Sequence, residues 1–267
     1  MNPFKVAAVQ MVSEPSVEAN LAQAGELVSQ AAAQGARLVA LPEYFCLFGM
    51  RDRDKVAVRE PDGEGPIQRF LSQTATRHGI WLIGGSVPLV APDPGKVMNS
   101  CLVFDALGGR VARYDKIHLF GFETEGERYD ESATIEPGSM PIAVDSPFGR
   151  IGLSICYDLR FPELYRRLAP VDMIFVPSAF TATTGRVHWE ILLRARAIEN
   201  LAYVSAPAQG GRHPNGRETH GHSMIIDPWG TMLACLPKGP GVVVAEIDPA
   251  HREKLRASLP ALEHRVL

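Results

Sequence analysis

The chain has 267 residues, 46 % of them hydrophobic and 21 % charged, with 27 Lys plus Arg against 30 Asp plus Glu and a formal net charge of −3. That composition fits a globular protein with a large core, and the near balance of charge leaves no electrostatic footprint for nucleic acid or a membrane surface. No apolar run approaches the roughly 18–20 residues of a membrane span, and the segment from Met1 to Val6 lacks the basic and long apolar regions of a secretory signal.

The hydrophobic periods then predict the elements in order. Residues 4–11 read as a strand. Residues 17–34 carry Leu21, Ala24, Leu27, Val28 and Ala31 at helical spacing, with Gly35 as a stop. Residues 37–41 read as a buried strand, 66–78 as a second helix ended by Gly79, and 80–87 as the next strand. Residues 97–105 and 110–114 read as a hairpin across Leu107-Gly108-Gly109. Residues 121–139, polar and rich in Gly and Glu, read as a long surface loop. A further hairpin is expected over 142–145 and 149–155, then a short helix over 162–168 and a strand over 173–177. Residues 184–200 form a third long helix with Trp189, Leu192, Leu193 and Ile198 toward the core. Strands over 202–206, 221–227, 231–235 and 242–247 follow, and a helix over 249–258 closes the order. No linker, low-complexity stretch or repeat divides residues 1–267, which therefore read as a single domain. Hairpins mixed with β-α-β crossovers predict a layered α/β fold, two mixed sheets covered by helices.

The four cysteines, Cys46, Cys101, Cys156 and Cys235, are scattered with no C-x-x-C pair. This spacing argues against a disulfide framework or a zinc site and places the chain in a reducing cytoplasm. Cys101 and Cys235 read as packing residues, as does Cys46 despite its closeness to Glu43. Cys156 differs. An apolar run, Gly152-Leu-Ser-Ile, delivers it to a turn holding Asp158, Arg160 and Glu163. Glu43 similarly ends the run Leu38-Val-Ala-Leu-Pro42, and Lys116 stands before Ile117-His118-Leu119-Phe120. Either charged residue alone would more often be a solvated strand end or a snorkelling lysine. Together, a thiol, a carboxylate and an ammonium, each at the end of a predicted strand, suit a nucleophile, a proton shuttle and an oxyanion clamp. The backbone N–H of Tyr157 becomes a second oxyanion donor if the turn opens a helix. His118, His188, His220 and His222 leave a Cys/His dyad or a metal site open at this point.

These segments resemble the nitrilase, or carbon–nitrogen hydrolase, superfamily. Leu-Pro-Glu around Glu43, Tyr-Asp-Lys-Ile-His-Leu-Phe around Lys116 and Cys-Tyr-Asp-Leu-Arg-Phe-Pro-Glu around Cys156 match its motifs one by one and in order. A further glutamate of the family is matched to Glu131, with Glu125, Glu127 and Glu136 nearby. Pro177-Ser-Ala-Phe, Thr184-Gly-Arg-Val-His-Trp-Glu and Gly221-His-Ser-Met-Ile-Ile-Asp-Pro-Trp-Gly are similar to its Nit branch. The resemblance implies an α-β-β-α sandwich that pairs into a homodimer or higher homo-oligomer. It implies an amidase acting through a Cys156 thioester, with no cofactor and no metal, in which a glutamate rather than a histidine is the base.

The expected partner is a small-molecule amide with an anionic acyl part; neither nucleic acid nor membrane is expected. Ala208-Gln-Gly-Gly-Arg-His213 looks most like a subtype that cleaves deaminated glutathione to 2-oxoglutarate and cysteinylglycine. An ω-amidase acting on 2-oxoglutaramate, an N-carbamoyl amidohydrolase, a nitrilase and an inactive oligomeric scaffold are the alternatives. On this reading Arg186, Gln209, Arg212 and His213 are the candidate substrate-binding residues, since arginine reads carboxylates in a planar, bidentate way.

Overall fold

The structure, a computed structural model, describes residues 2–124 and 127–266. Its first half runs β1 (Phe4–Gln10), α1 (Val17–Ala33), β2 (Ala36–Ala40), α2 (Asp54–Ala57), α3 (Pro66–His78), β3 (Trp81–Ile83), β4 (Val87–Val90), β5 (Val97–Phe104) and β6 (Arg110–Asp115). Then come a small hairpin, β7 (Gly121–Thr124) with β8 (Glu127–Asp130), a 3₁₀ turn over Glu131–Ala133, and β9 (Ile135–Glu136). The second half holds β10 (Ala143–Ser146), β11 (Gly149–Leu153), α4 (Pro162–Leu168), β12 (Met173–Phe175), α5 (Ala182–Asn200), β13 (Tyr203–Ala206), β14 (Ser223–Ile226), β15 (Met232–Leu236), β16 (Gly241–Ile247) and α6 (Pro249–Ser258).

These strands form two mixed sheets. The first has the order β16-β1-β2-β3-β5-β4, with β6 and β9 also paired to β5. The second has the order β10-β11-β12-β13-β14-β15. In each, parallel pairs such as β1 with β2 and β11 with β12 are joined through a helix, while the end pairs β1 with β16 and β10 with β11 are antiparallel.

Strand alternation decides what each face covers. Along β1, Val6 and Ala8 join Leu38 and Ala40 in a cluster that includes Leu153, Ile174, Val204 and Ile226 of the second sheet. Their neighbours Ala7, Val9 and Val39 face the other way, against Ala24, Leu27 and Val28 of α1 and Ile67 and Leu71 of α3. On the far side of the second sheet, Trp189, Leu193 and Ala197 of α5 complete the first cluster. The layers are thus helix, sheet, sheet, helix.

Helix boundaries follow local chemistry. Ser16 caps α1 by accepting from Ala19 N. Pro66 opens α3, where the buried Glu60 carboxylate accepts from the N–H groups of Ile67 and Gln68 at 2.6 and 3.1 Å. Three expectations need correction. The strand expected over 80–87 is two strands, broken at Gly84-Gly85, because Gly85 has φ +56° and a Cβ there would lie 2.2 Å from the carbonyl oxygen of Pro42. The surface loop expected over 121–139 contains a hairpin, a 3₁₀ turn and a strand paired in parallel to β5. Ile198 does not face the core: it is 47 % exposed, near the end of α5. Among the described residues no helix is long and apolar enough to cross a membrane.

Candidate active site

The connections that leave β2, β6 and β11 all run into one cleft. It encloses about 830 Å³, counting the solvent in its mouth, and Glu43, Glu131, Cys156, Lys55, Phe120 and Arg217 are among its lining residues.

Lys116 follows β6 directly, and its N–H donates to Asn99 O on β5 at 3.0 Å, which fixes where the side chain starts. The side chain is fully buried. Its ammonium donates to Glu43 Oε1 at 2.8 Å and to both oxygens of Glu131, at 2.9 and 2.8 Å. Glu43, 1 % exposed, also accepts from Asn99 Nδ2 at 3.0 Å, and its carboxyl interacts with the Cys156 thiol across the same cleft. Glu131 accepts in addition from Tyr44 Oη and from Phe120 N, both at 2.7 Å. The assignment of Glu131 among its neighbours therefore has a geometric basis: it is the carboxylate that meets Lys116. Glu125 lies outside the described residues, and Glu136 accepts instead from Asp93 N at the surface.

Cys156 opens a 3₁₀ turn, Cys156–Arg160, straight after the strand end. It adopts φ +49°, a left-handed conformation that costs a non-glycine residue about 1–2 kcal/mol. Its N–H donates to Pro177 O at 2.9 Å, and Ala179 lines the cleft beside it. The buried Asp158 secures this turn. Its Oδ2 accepts from Ile155 N at 2.8 Å and Tyr114 Oη at 2.6 Å; its Oδ1 accepts from His118 N at 3.0 Å and lies 2.7 Å from His118 Nδ1. One carboxylate thereby ties the residue before Cys156 to residues on both sides of Lys116. Tyr157, whose N–H is the second oxyanion candidate, is the next residue of the turn.

The electrostatics follow from burial and from who faces whom. Burial lifts the Glu43 carboxyl above the usual carboxylate range; Lys116 pulls it back and Glu131 pushes it further up. Burial, then the charge of Glu43, lifts the Cys156 thiol well above its ordinary value, so the resting sulfur is protonated. Burial opposes the charge on Lys116, yet Glu131 and Glu43 hold its ammonium well above the usual lysine value. Glu131 is also penalised by burial, but Lys116 keeps its carboxyl below the ordinary range. The arrangement is a permanent Lys116–Glu131 ion pair beside a carboxylate of raised basicity, which in turn touches a neutral thiol.

The histidines lie elsewhere. His118 is held by Asp158 and stacks on Phe161, His188 meets Arg160, and His220 stacks on His222 at 4.2 Å. No histidine lines the cleft among the described residues. Cys46 and Cys101 are buried in the cores, where desolvation pushes each thiol up to about 12, and Cys235 is half-buried on β15.

Two of the four expected substrate contacts, Gln209 and His213, are corrected. Gln209 is fully buried, and its amide is used up inside the protein: Oε1 accepts from Ser13 N, and Nε2 donates to Ser13 Oγ and to the backbone oxygen of Glu43. It holds the Glu43 backbone and faces no cleft. His213, also buried, is taken up by Ser13 O and Thr219 Oγ1 and stacks on Phe48. Arg186 and Arg212 are exposed and are not among the residues that line the cleft, but both act on Glu218, which lines its mouth. The cations that do line the cleft include Lys55 and Arg217, which the sequence reading passed over. So did it Asn99, although a polar residue inside the apolar run of β5 was a visible signal.

A protein-family model described as carbon–nitrogen hydrolase matches residues 5–257. A Synechocystis protein named deaminated glutathione amidase is 45 % identical over 272 residues, covering 100 % of this chain and 99 % of that one. The crystal structure of Saccharomyces cerevisiae Nit3, described as a member of branch 10 of the nitrilase superfamily, superposes with a TM-score of 0.89 at 32 % identity, covering 100 % of this chain and 97 % of that one. An amidase from Nesterenkonia sp. AN1, solved after Michael addition of acrylamide at its active-site cysteine, gives a TM-score of 0.77 at 27 % identity, covering 96 % of this chain and 98 % of that one.

Proposed function

The chain belongs to the carbon–nitrogen hydrolase family and is a hydrolase of amides, and within that class we propose that it cleaves deaminated glutathione through a thioester on Cys156. The observation that carries the mechanism is the Glu43 carboxyl, of raised basicity, which lies against the Cys156 thiol on one side and accepts from the Lys116 ammonium on the other.

The steps follow from that contact. Cys156 Sγ attacks the amide carbon as Glu43 takes the thiol proton. The carbonyl oxygen becomes an oxyanion, which Lys116 and the Tyr157 N–H stabilise. The C–N bond breaks as Glu43 hands its proton to the leaving nitrogen, leaving an acyl thioester. Water then attacks the thioester carbon, giving its proton to Glu43, and the C–S bond breaks as that proton returns to sulfur. The acid is released and every group is restored, with no metal or cofactor in the sequence of steps. Glu131 keeps Lys116 charged and aimed, and its charge sustains the basicity of Glu43.

Deaminated glutathione is preferred as substrate because relatives at 39–45 % identity bear that name. We further read the enzyme as a cytoplasmic homodimer or larger homo-oligomer. Its cysteines are unpaired, and Val187, Ile191 and Ile198 leave an apolar stripe exposed along α5. The test is kcat/KM for deaminated glutathione, 2-oxoglutaramate, an N-carbamoyl amino acid and an aliphatic nitrile, with Cys156→Ala as control. Deaminated glutathione should lead, and Cys156→Ala should lose turnover while keeping its circular dichroism. A tenfold lead for the nitrile or the carbamoyl compound, or activity retained without the thiol, would overturn the reading.

A further inference from the structure

Lys55, on α2, lines the same cleft as Cys156, and the steps above make no use of it. Its ammonium donates to Thr134 Oγ1 at 3.3 Å and sits 5.3 Å from the centre of the Tyr44 ring. Among the described residues no carboxylate lies within ion-pair distance of it. The acids closest in effect, Glu131 and Asp52, are engaged elsewhere: Glu131 with Lys116 at 2.8 Å and Asp52 with Arg217 at 2.9 Å. An ammonium has three N–H donors. Here one long bond to a hydroxyl and one ring face serve a part-buried cation. Burial lowers the proton affinity of this amine, and an arriving anion would restore it.

The cleft's other cations, Arg51 and Arg217, lie at its mouth, and Arg217 is in a different state. Arg217 is neutralised by Asp52 and lies over the ring of Tyr129. Its surroundings, Arg51, Asp52 and Glu218, are exposed, so they form the mouth. Lys55 lies on the inner wall, its hydroxyl partner Thr134 buried one turn beyond Glu131.

We propose that Lys55 binds the carboxylate at the far end of the substrate's acyl half, and so selects monoamides of short dicarboxylic acids. The proposal rests on the amidase reading given above. The choice of half follows from the order of events. The amine must depart and water must enter while the acyl group is still attached to sulfur, so the leaving half belongs at the mouth and the acyl half on the inner wall. A carboxylate there supplies the acceptor that Lys55 lacks; an amide ending in a methyl group would leave the ammonium unsatisfied.

The test compares 2-oxoglutaramate with 4-oxopentanamide, which carries a methyl group in place of the carboxylate. For Lys55→Met, kcat/KM on 2-oxoglutaramate should fall by on the order of 10–100-fold, chiefly through KM, and on 4-oxopentanamide by less than about threefold. Lys55→Arg should recover part of the loss. Binding of uncleaved 2-oxoglutaramate is measured by calorimetry in Cys156→Ala protein, with and without Lys55→Met. A tenfold or greater weakening on removing Lys55 supports the site even if the wild type turned over neither amide, in which case the amidase reading alone would fall. Equal losses on both amides, or unchanged binding of 2-oxoglutaramate, would overturn the assignment while leaving the amidase reading standing.

Discussion

Replacing Asp158 by Asn tests whether one buried carboxylate holds the nucleophile and the lysine in register. The carboxylate is fully buried and takes two donors on each oxygen: Ile155 N and Tyr114 Oη on one, His118 N and the His118 ring on the other. An asparagine keeps the volume but presents an NH₂ on one side. A tyrosine hydroxyl can turn to accept from it, and an imidazole can change tautomer. A backbone N–H can do neither. In either amide orientation one backbone donor, of Ile155 or of His118, is left facing another donor, at a cost of about 1–3 kcal/mol. The surviving bonds also lose their charge assistance, each weakening by roughly 1 kcal/mol. A total of about 3 kcal/mol or more corresponds to a fall in Tm of roughly 6–12 °C for a chain of this size. Because Ile155 precedes Cys156 and His118 lies two residues beyond Lys116, a misplacement near 1 Å in either should cost on the order of 10²-fold in kcat. Differential scanning calorimetry and steady-state kinetics on the same preparation measure both. A variant within about 0.5 kcal/mol of wild type and with full kcat would refute the reasoning.

Two further outcomes are expected. Glu131→Gln removes a charge that raises the Glu43 carboxyl and, because one oxygen becomes an NH₂, one of the two hydrogen bonds by which Glu131 holds Lys116. The active form of Glu43 is the carboxylate, so a raised pKa means activity is lost on acidification at a pH above the ordinary carboxylate range. Without Glu131 the acid limb of kcat/KM should move to lower pH and kcat should fall about 10²-fold; an unmoved acid limb would show that Glu131 does not tune this base. Gly85→Ala forces a Cβ to within 2.2 Å of Pro42 O, next to Glu43, whereas Gly63, also at positive φ, has open space around its Cβ position. Gly63→Ala should cost only conformational strain, about 1–2 kcal/mol, with kcat retained; Gly85→Ala should lose more stability than that and lose kcat as well. Equal effects in melting and kinetics would mean that the contact with Pro42 does not position Glu43.

Much of the fold was legible because burial writes a period into the chain. The α3 boundaries, Pro66 to His78, follow from a proline start and a glycine stop around an apolar stripe. The segment after Gly121 gave no such signal. Its short strands are mostly exposed, so their residues need not alternate, and pairing there rests on backbone hydrogen bonds that any sequence supplies. That this segment delivers Glu131 to Lys116 was therefore legible only through the family resemblance, not through any period in the chain. The break at Gly84-Gly85 was missed for a related reason: the flanking residues are all buried, and a continuous apolar run does not record where the backbone turns.

At the site, the legible residues were those whose polarity contradicts their neighbourhood. Glu43 and Cys156 each follow an apolar run and Lys116 precedes one; the structure brings Glu43 and Cys156 to one cleft and sets the buried Lys116 directly behind Glu43. The segment from Gln209 to His213 misled because polarity says that a side chain needs a partner, not where the partner is. Gln209 finds its partners at Ser13 and at the Glu43 backbone, far away in sequence and inside the protein. The converse holds for Arg51-Asp52-Arg53-Asp54-Lys55, a run of alternating charge. In the fold, Asp52 reaches Arg217, from a loop 165 residues away. That ion pair removes a local partner from Lys55 and leaves a cation facing the cleft. Which charges cancel and which stay available is settled by tertiary contacts, so a binding cation can be hidden in a stretch whose sequence is electrically balanced.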